Sequence, residues 1–230
     1  MSDLKHIVIY PSYRCNLSCD YCWVYELGWK ENEHPLSEWL QHLPVHETTV
    51  LNIVGGEPTL LSGLYDFCNK FKGFWAITTN LQDAEFIERI IAKPLKNCVQ
   101  ITLSWKNNLT PNKFNEYFSR LQTAGYRVGW SYVSPDQAPP KELKGGNVNF
   151  RFKGEIGKGR LKTCNVGINH VVIGANGDIY PCQAWFMRHE NKMGNLFTDG
   201  LVWLKENLKC NLACLPCYVE GQFGILWNEL

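Results

Sequence analysis

Short apolar runs alternate along the chain with longer segments whose apolar residues recur every three or four positions. HIVIY (6–10), TVLNIV (49–54), FWAITT (74–79), VQITLSW (99–105), YRVGWSYV (126–133) and VNFRF (148–152) read as β-strands. Between them, LYDFCNKF sets Leu64, Phe67, Cys68 and Phe71 on one helical face. DAEFIERII offers Asp83 as a cap and Phe86, Ile87, Ile90 and Ile91 as a buried stripe. In TPNKFNEYFSRLQTAG, Thr110 is the expected N-cap, Pro111 the first helical residue and Gly125 the stop, with Phe114, Tyr117, Phe118 and Leu121 on one side. Strand–helix alternation at this spacing predicts a parallel sheet with helical crossovers. About four to six strands are too few for a closed eight-stranded barrel, so the expected fold is α/β, a partial, open TIM-like β/α barrel.

After Val133 the texture changes. SPDQAPPKELKGG is rich in Pro and Gly and lacks helical periodicity, and from about residue 153 the chain becomes Gly-rich and then cysteine-bearing. HVVIGANGDIYPC reads as a hairpin turning at ANGD, and DGLVWLKENL reads as helical. The expected organisation is a barrel over 1–152 and a small hairpin-and-helix domain over 153–230.

Composition narrows the function classes. With 230 residues, 45% hydrophobic, 20% charged and a net charge of +1, the chain reads as an ordinary globular protein. That balance gives no basic footprint for nucleic acid, and a tRNA-modifying role would want one. MSDLKHIVIY is too short an apolar run for a signal peptide or membrane span, so the expected compartment is the cytoplasm. There cysteines stay reduced and serve metals or catalysis. Two of the ten, Cys68 and Cys98, sit in apolar runs and read as core residues. The other eight fall into an early group and a late one.

The early group is CNLSCDYC, with Cys15, Cys19 and Cys22 in a loop after the first strand. Thiolates suit iron–sulfur clusters, zinc or copper(I). Three on one loop can hold three irons of a cubane and leave the fourth open, whereas a structural cluster normally takes four. Zinc would need a fourth ligand from elsewhere, and His34 and His42 lie in a different texture. With its aromatic residue before the last cysteine, the loop resembles that of radical S-adenosylmethionine (SAM) enzymes. In that family three cysteines bind a 4Fe–4S cluster, and the amino and carboxylate groups of SAM occupy the fourth iron. GGEPTLL (55–61) after the second strand resembles the family's GGEP segment. The resemblance implies that Gly55, Gly56, Glu57 and Pro58 meet the methionine part of SAM, the glycines allowing close backbone approach. It further implies that Thr78, Thr79 and Asn80, closing the third strand, and Ser104, closing the fourth, face its carboxylate and ribose, with Tyr21 near the adenine. Read alone, each of these polar residues is equally an ordinary loop cap.

The late group, Cys164, Cys182, Cys210, Cys214 and Cys217, resembles the SPASM/Twitch extension of the same enzymes. Five cysteines rather than seven match the shorter Twitch form with one auxiliary 4Fe–4S cluster, held by Cys164, Cys182, Cys214 and Cys217. Cys210 is then an alternative ligand, a ligand of a second, incomplete cluster, or a free thiol. The bland reading of this group is a zinc ribbon, and of the whole chain a non-catalytic zinc-binding interaction module. The resemblance implies an oxidoreductase that cleaves SAM reductively to a 5′-deoxyadenosyl radical and abstracts hydrogen from a substrate. It also implies an electron donor such as flavodoxin or ferredoxin. Related enzymes modify ribosomal peptides, proteins or sugar-like metabolites. Peptide modification in natural-product biosynthesis is the first expectation, and dehydrogenation of a small sugar-like metabolite the second. Because the first strand begins near residue 6, a peptide is expected to need a separate recognition protein or direct binding in the barrel. Trp23, Trp29, Trp105, Trp130 and Trp185 either line an aromatic pocket or, as such residues more often do, fill a core.

Overall fold

The computed structural model describes residues 5–19, 22, 24, 33–44, 48–105, 109–133, 141–143, 148–150 and 167–206. The chain runs β1 (Lys5–Ile9), α1 (Leu36–His42), β2 (Thr49–Ile53), α2 (Leu64–Lys70), β3 (Phe74–Thr79), α3 (Ala84–Ala92), β4 (Cys98–Trp105), α4 (Pro111–Thr123) and β5 (Val128–Val133). It continues through β6 (Val148–Phe150), β7 (His170–Ile173), β8 (Asp178–Tyr180), α5 (Gln183–Arg188), β9 (Gly194–Asn195) and α6 (Leu196–Asp199). These strands form one sheet in the order β6-β5-β4-β3-β2-β1-β7-β8-β9. Pairing is parallel from β6 to β7 and antiparallel from β7 to β9. The sheet is an open, TIM-like half-barrel. All six expected strands are present, and β7 adds a seventh parallel strand beside β1.

Strand alternation divides the sheet into two chemically different faces. Ile7, Ile9, Leu51, Ile53, Trp75, Ile77, Ile101, Leu103, Trp105 and Trp130 pack into the main core with the helices. The helices bring Trp39, Leu64, Phe67, Phe86, Ile87, Ile90, Phe114 and Leu121 to it. Trp105 and Trp130 are thus core residues, as are Cys68 and, at the margin, Cys98. The intervening positions point the other way, into the concave side. Register aligns Val8, Asn52, Ala76 and Gln100 in one row, Thr78, Thr102 and Gly129 in the next, and Ser104 with Ser131 beyond. This is a surface of neutral amides, hydroxyls and small side chains.

Local chemistry sets the boundaries of the helices. Asp83 caps α3 by accepting from Glu85 N at 3.1 Å, and Thr110 caps α4 by accepting from Lys113 N at 3.3 Å. Gly125 takes φ 91° just beyond α4. In the hairpin, Gly177 supplies φ 84° between β7 and β8. DGLVWLKENL departs from the helical expectation: α6 stops at Asp199, and residues 201–204 carry no helix. Gly200 at φ 74° breaks the helix there. Beyond it Leu204 N donates to Gly167 O at 2.6 Å, so the chain bonds laterally instead of coiling.

Candidate active site

Parallel strands deliver all their carboxyl ends to one rim, where the cysteine loop leaves β1. Tyr10 N still bonds Ile173 O at 2.9 Å, and then the chain turns. Buried Ser12 donates to Glu33 Oε1 at 2.5 Å and accepts from Arg14 N at 3.0 Å. Arg14 closes the brace with Nη2 2.9 Å from Glu33 Oε2. Tyr13 OH accepts from Ala175 N at 3.2 Å, tying the loop to the β7–β8 turn. Cys15, Cys19 and Cys22 follow, all half-buried. Leu17 N donates to Cys15 Sγ at 3.4 Å, and Cys22 N to Cys19 O at 3.1 Å. Burial pushes the Cys15 thiol up, the Leu17 N–H pulls it back, and negative charge at Glu57, Cys19 and Cys22 raises it further. The three sulfurs therefore share one electrostatic neighbourhood. Around a single zinc, thiolates at 2.3 Å would sit roughly 3.8 Å apart. Among the described residues no three Cys, His, Asp or Glu side chains converge in that way. Three free, half-buried cysteines on one loop suit a cubane, in which each thiolate would take its own iron.

The GGEP turn is docked against this loop. Gly56 N donates to Ser12 O at 3.0 Å and Glu57 N to Arg14 O at 2.8 Å. A Cβ on Gly55 would overlap the Ser12 carbonyl oxygen, and one on Gly56 those of Tyr13 and Arg14. The glycines were expected to allow a ligand's close approach. Here the backbone they approach is the protein's own. Pro58 then opens a single 3-10 turn, Pro58–Leu60.

Glu57 is 2% exposed, and its carboxylate points into the protein. Oε1 accepts from Thr59 N (3.2 Å), Thr59 Oγ1 (2.7 Å) and Thr79 Oγ1 (2.7 Å), and Oε2 from Asn80 N (2.7 Å). Burial raises the Glu57 carboxyl, and these donors oppose the rise. The carboxylate thus staples the end of β2 to the end of β3. Beyond it Leu81 takes the left-handed φ of 62°, bending the chain sharply away, with its N–H on Thr79 Oγ1 at 3.1 Å. The buried Asn80 side chain reaches the cysteine loop: Nδ2 lies 2.9 Å from Asn16 Oδ1 and 3.8 Å from Cys15 Sγ.

Cys15, Cys19, Cys22, Gly55, Gly56, Glu57, Pro58, Thr79 and Asn80 are thus gathered at one rim. Thr78 lines the concave side half-buried, and Ser104 lies one row nearer the rim, opposite Ser131. Tyr21, Trp23 and Trp29 lie outside the described residues, as do Cys164, Cys210, Cys214 and Cys217. Cys182 is described: it precedes α5, 2% exposed. Its carbonyl accepts from Phe186 N at 3.0 Å, and Phe186 belongs to a second apolar cluster with Val8, Tyr10, Tyr13 and Tyr180, against which Cys22 packs. Tyr10 OH donates to Gln183 Oε1 at 2.8 Å across this cluster.

Two family models match in sequence, the radical SAM superfamily over residues 9–155 and the SPASM iron–sulfur cluster-binding domain over 164–218. The chain belongs to the radical SAM superfamily. Its SPASM match opens on Cys164 and closes one residue after Cys217, so it takes in all five late cysteines. As a radical SAM protein it uses a 4Fe–4S cluster and SAM, and its SPASM region adds auxiliary iron–sulfur binding. Among solved structures, Streptococcus suis SuiB matches with a TM-score of 0.61 and 19% identity, over 85% of this chain and 64% of SuiB. That likeness is one of fold, and the chain spans somewhat less than two thirds of SuiB's length. No curated protein matches the chain. Among the described residues no helix is long and apolar enough to cross a membrane.

Several residues at this rim were not legible in the sequence. Ser12, Glu33 and Asn16 brace the loop through contacts that depend on the fold. Asn52, Gln100, Thr102 and Ser131 carried a readable signal: polar residues at alternate positions of otherwise apolar strands mark the concave face.

Proposed function

We propose that the chain is an oxidoreductase that abstracts hydrogen from a C–H bond of a neutral, polar substrate, with a ribosomally made peptide of natural-product biosynthesis as first candidate. The observation that carries this reading is the braced cysteine loop at the rim of a concave face of amides and hydroxyls. Cys15, Cys19 and Cys22 hold three irons, and the backbone of residues 55–58 meets the methionine part of SAM. Thr78, Asn80 and Ser104 border its carboxylate and ribose, and Tyr21 its adenine. Glu57 and Thr79, whose polar atoms are engaged with each other, act by positioning. The bound cluster and SAM supply a 5′-deoxyadenosyl radical on reduction. The half-barrel's part is to orient the substrate and keep water from it. Cys164, Cys182, Cys214 and Cys217 would hold one auxiliary cluster, with Cys210 free or in exchange, and that cluster would supply an acceptor for the substrate's electron or a site that positions the substrate. A flavodoxin or ferredoxin delivers the reducing electron in the cytoplasm, and a separate protein presents the peptide.

The same hydroxyl-rich face favours a second reading, a dehydrogenase of a small sugar-like metabolite. Protein reconstituted anaerobically and reduced with dithionite should form 5′-deoxyadenosine faster with a short peptide encoded beside its gene. Deuterium should pass from that peptide into the 5′-deoxyadenosine. Transfer from a deuterated sugar-like metabolite instead would select the second reading, and no transfer from either would sink both. A Cys214→Ala/Cys217→Ala variant should still cleave SAM yet give little product. Undiminished product would make the auxiliary site structural.

A further inference from the structure

Asn80 does more at this rim than border a cofactor. It is 5% exposed, and each part of it is engaged. Its backbone N–H donates to Glu57 Oε2 at 2.7 Å, and its Oδ1 accepts from Gln82 N at 2.9 Å. With the oxygen held there, the amide nitrogen must face the loop, where it reaches Asn16 Oδ1 at 2.9 Å and Cys15 Sγ at 3.8 Å. Leu17 N reaches the same sulfur at 3.4 Å. Cys15 thus has two N–H donors aimed at its sulfur, one from its own loop and one from the end of β3.

Donors on a ligand sulfur matter most when the cluster is reduced. The added electron places more negative charge on the thiolates, so an N–H···S bond stabilises the reduced form more and raises the potential. The buried Glu57 carboxylate acts in the opposite sense, by placing negative charge nearby. We infer that Asn80 is a redox-positioning residue whose side-chain amide, with Leu17 N–H, raises the reduction potential of the cluster held through Cys15. The inference rests on the reading of Cys15, Cys19 and Cys22 as its ligands. The electron comes from the external donor, and no bond to Asn80 forms or breaks.

The test is a dithionite titration of the reconstituted, full-length protein followed by electron paramagnetic resonance. Signal lost in a Cys15→Ala/Cys19→Ala/Cys22→Ala variant belongs to the first cluster. If no signal is lost, the ligand reading itself fails, which is a different outcome from those below. Asn80→Leu fills the same space without a donor, and Asn80→Asp keeps the shape while adding charge. Asn80→Leu should make reduction about tenfold less favourable, near 59 mV for one electron, and Asn80→Asp more so. Asn16→Ala loosens the same contact yet leaves the donor, so its potential should stay at the wild-type value. Equal shifts in the Asn16 and Asn80 variants, or none in either, would overturn the inference. Should the Asn80 variants fail to hold the cluster, the Asn16→Ala protein decides the matter. Labelled with ¹⁵N at asparagine side chains, its reduced first cluster should show a weak ¹⁵N coupling by pulsed resonance, and absence of that coupling overturns the inference.

Discussion

Glu57 shows how a motif can be visible while its work is hidden. GGEP stands out in the sequence, but apart from nearby Thr59 its partners are Thr79 at the end of β3, Asn80 just beyond it and the carbonyls of residues 12–14, none of them near in the chain. A short motif cannot announce contacts that only folding creates. Replacing Glu57 by Ala leaves the buried donors of Thr59, Thr79 and Asn80 without their acceptor. Each orphaned buried group costs about 1–3 kcal/mol, so Glu57→Ala should lower the melting temperature of the cluster-free protein by several degrees. Glu57→Gln, which keeps one acceptor oxygen but turns an N–H toward Asn80 N, should fall between. Equal melting of Glu57→Ala and wild type would show that the staple contributes nothing. Gly56→Ala tests the docking of the turn on the loop. Its Cβ meets the carbonyl oxygens of Tyr13 and Arg14, which are backbone and cannot swing aside. The variant should lose the iron of the first cluster and retain that of the auxiliary site, as metal analysis would report.

The elements with long, regular patterns were legible in advance, because a helix stripe and its cap are local. Phe86, Ile87 and Ile90 are the buried residues of α3, and Phe114, Tyr117, Phe118 and Leu121 those of α4. Asp83 and Thr110 both serve as caps. Replacing either by Ala should cost about 0.5–2 kcal/mol of stability, readable by denaturant melting, without changing iron content. A loss of cluster on removing one such cap would contradict the separation of frame from rim. The short elements were not legible. Helices α5 and α6 have six and four residues, too few to establish a period. Their stability comes from tertiary packing, as where the Phe197 ring stacks on His34 at 3.7 Å and meets Trp39 edge-on at 5.2 Å.

At the scale of the molecule, the chain's texture changes near residue 153 and the two family matches are separated by residues 156–163, yet the sheet is continuous across that point. β7 lies parallel to β1 in register from His6↔His170 to Ile9↔Ile173. The hairpin of β7 and β8 was readable from ANGD. Its lateral partner was not, since three apolar residues after a histidine can pair with any open edge. At the entrance to this seam His6 and His170 meet, Nδ1 to Nδ1 at 2.8 Å, so one ring must donate and the other accept. Burial above all, and then the charge of His170, hold His6 well below its ordinary value near 6.5. In the unfolded chain His6 takes a proton as the pH falls through about 6.5, whereas the folded chain resists it until lower pH. Stability is therefore undiminished above that value and declines below it, by up to about 1.4 kcal/mol per pH unit, until the folded group also titrates. Cluster-free protein should accordingly melt at steadily lower temperature between about pH 6.5 and 5, above the range where carboxylates titrate. A His6→Gln variant should be less stable at pH 8 but show a flatter profile across that window. If its profile there matches the wild type, the seam is not what acid opens, and the pH dependence must arise elsewhere in the sheet.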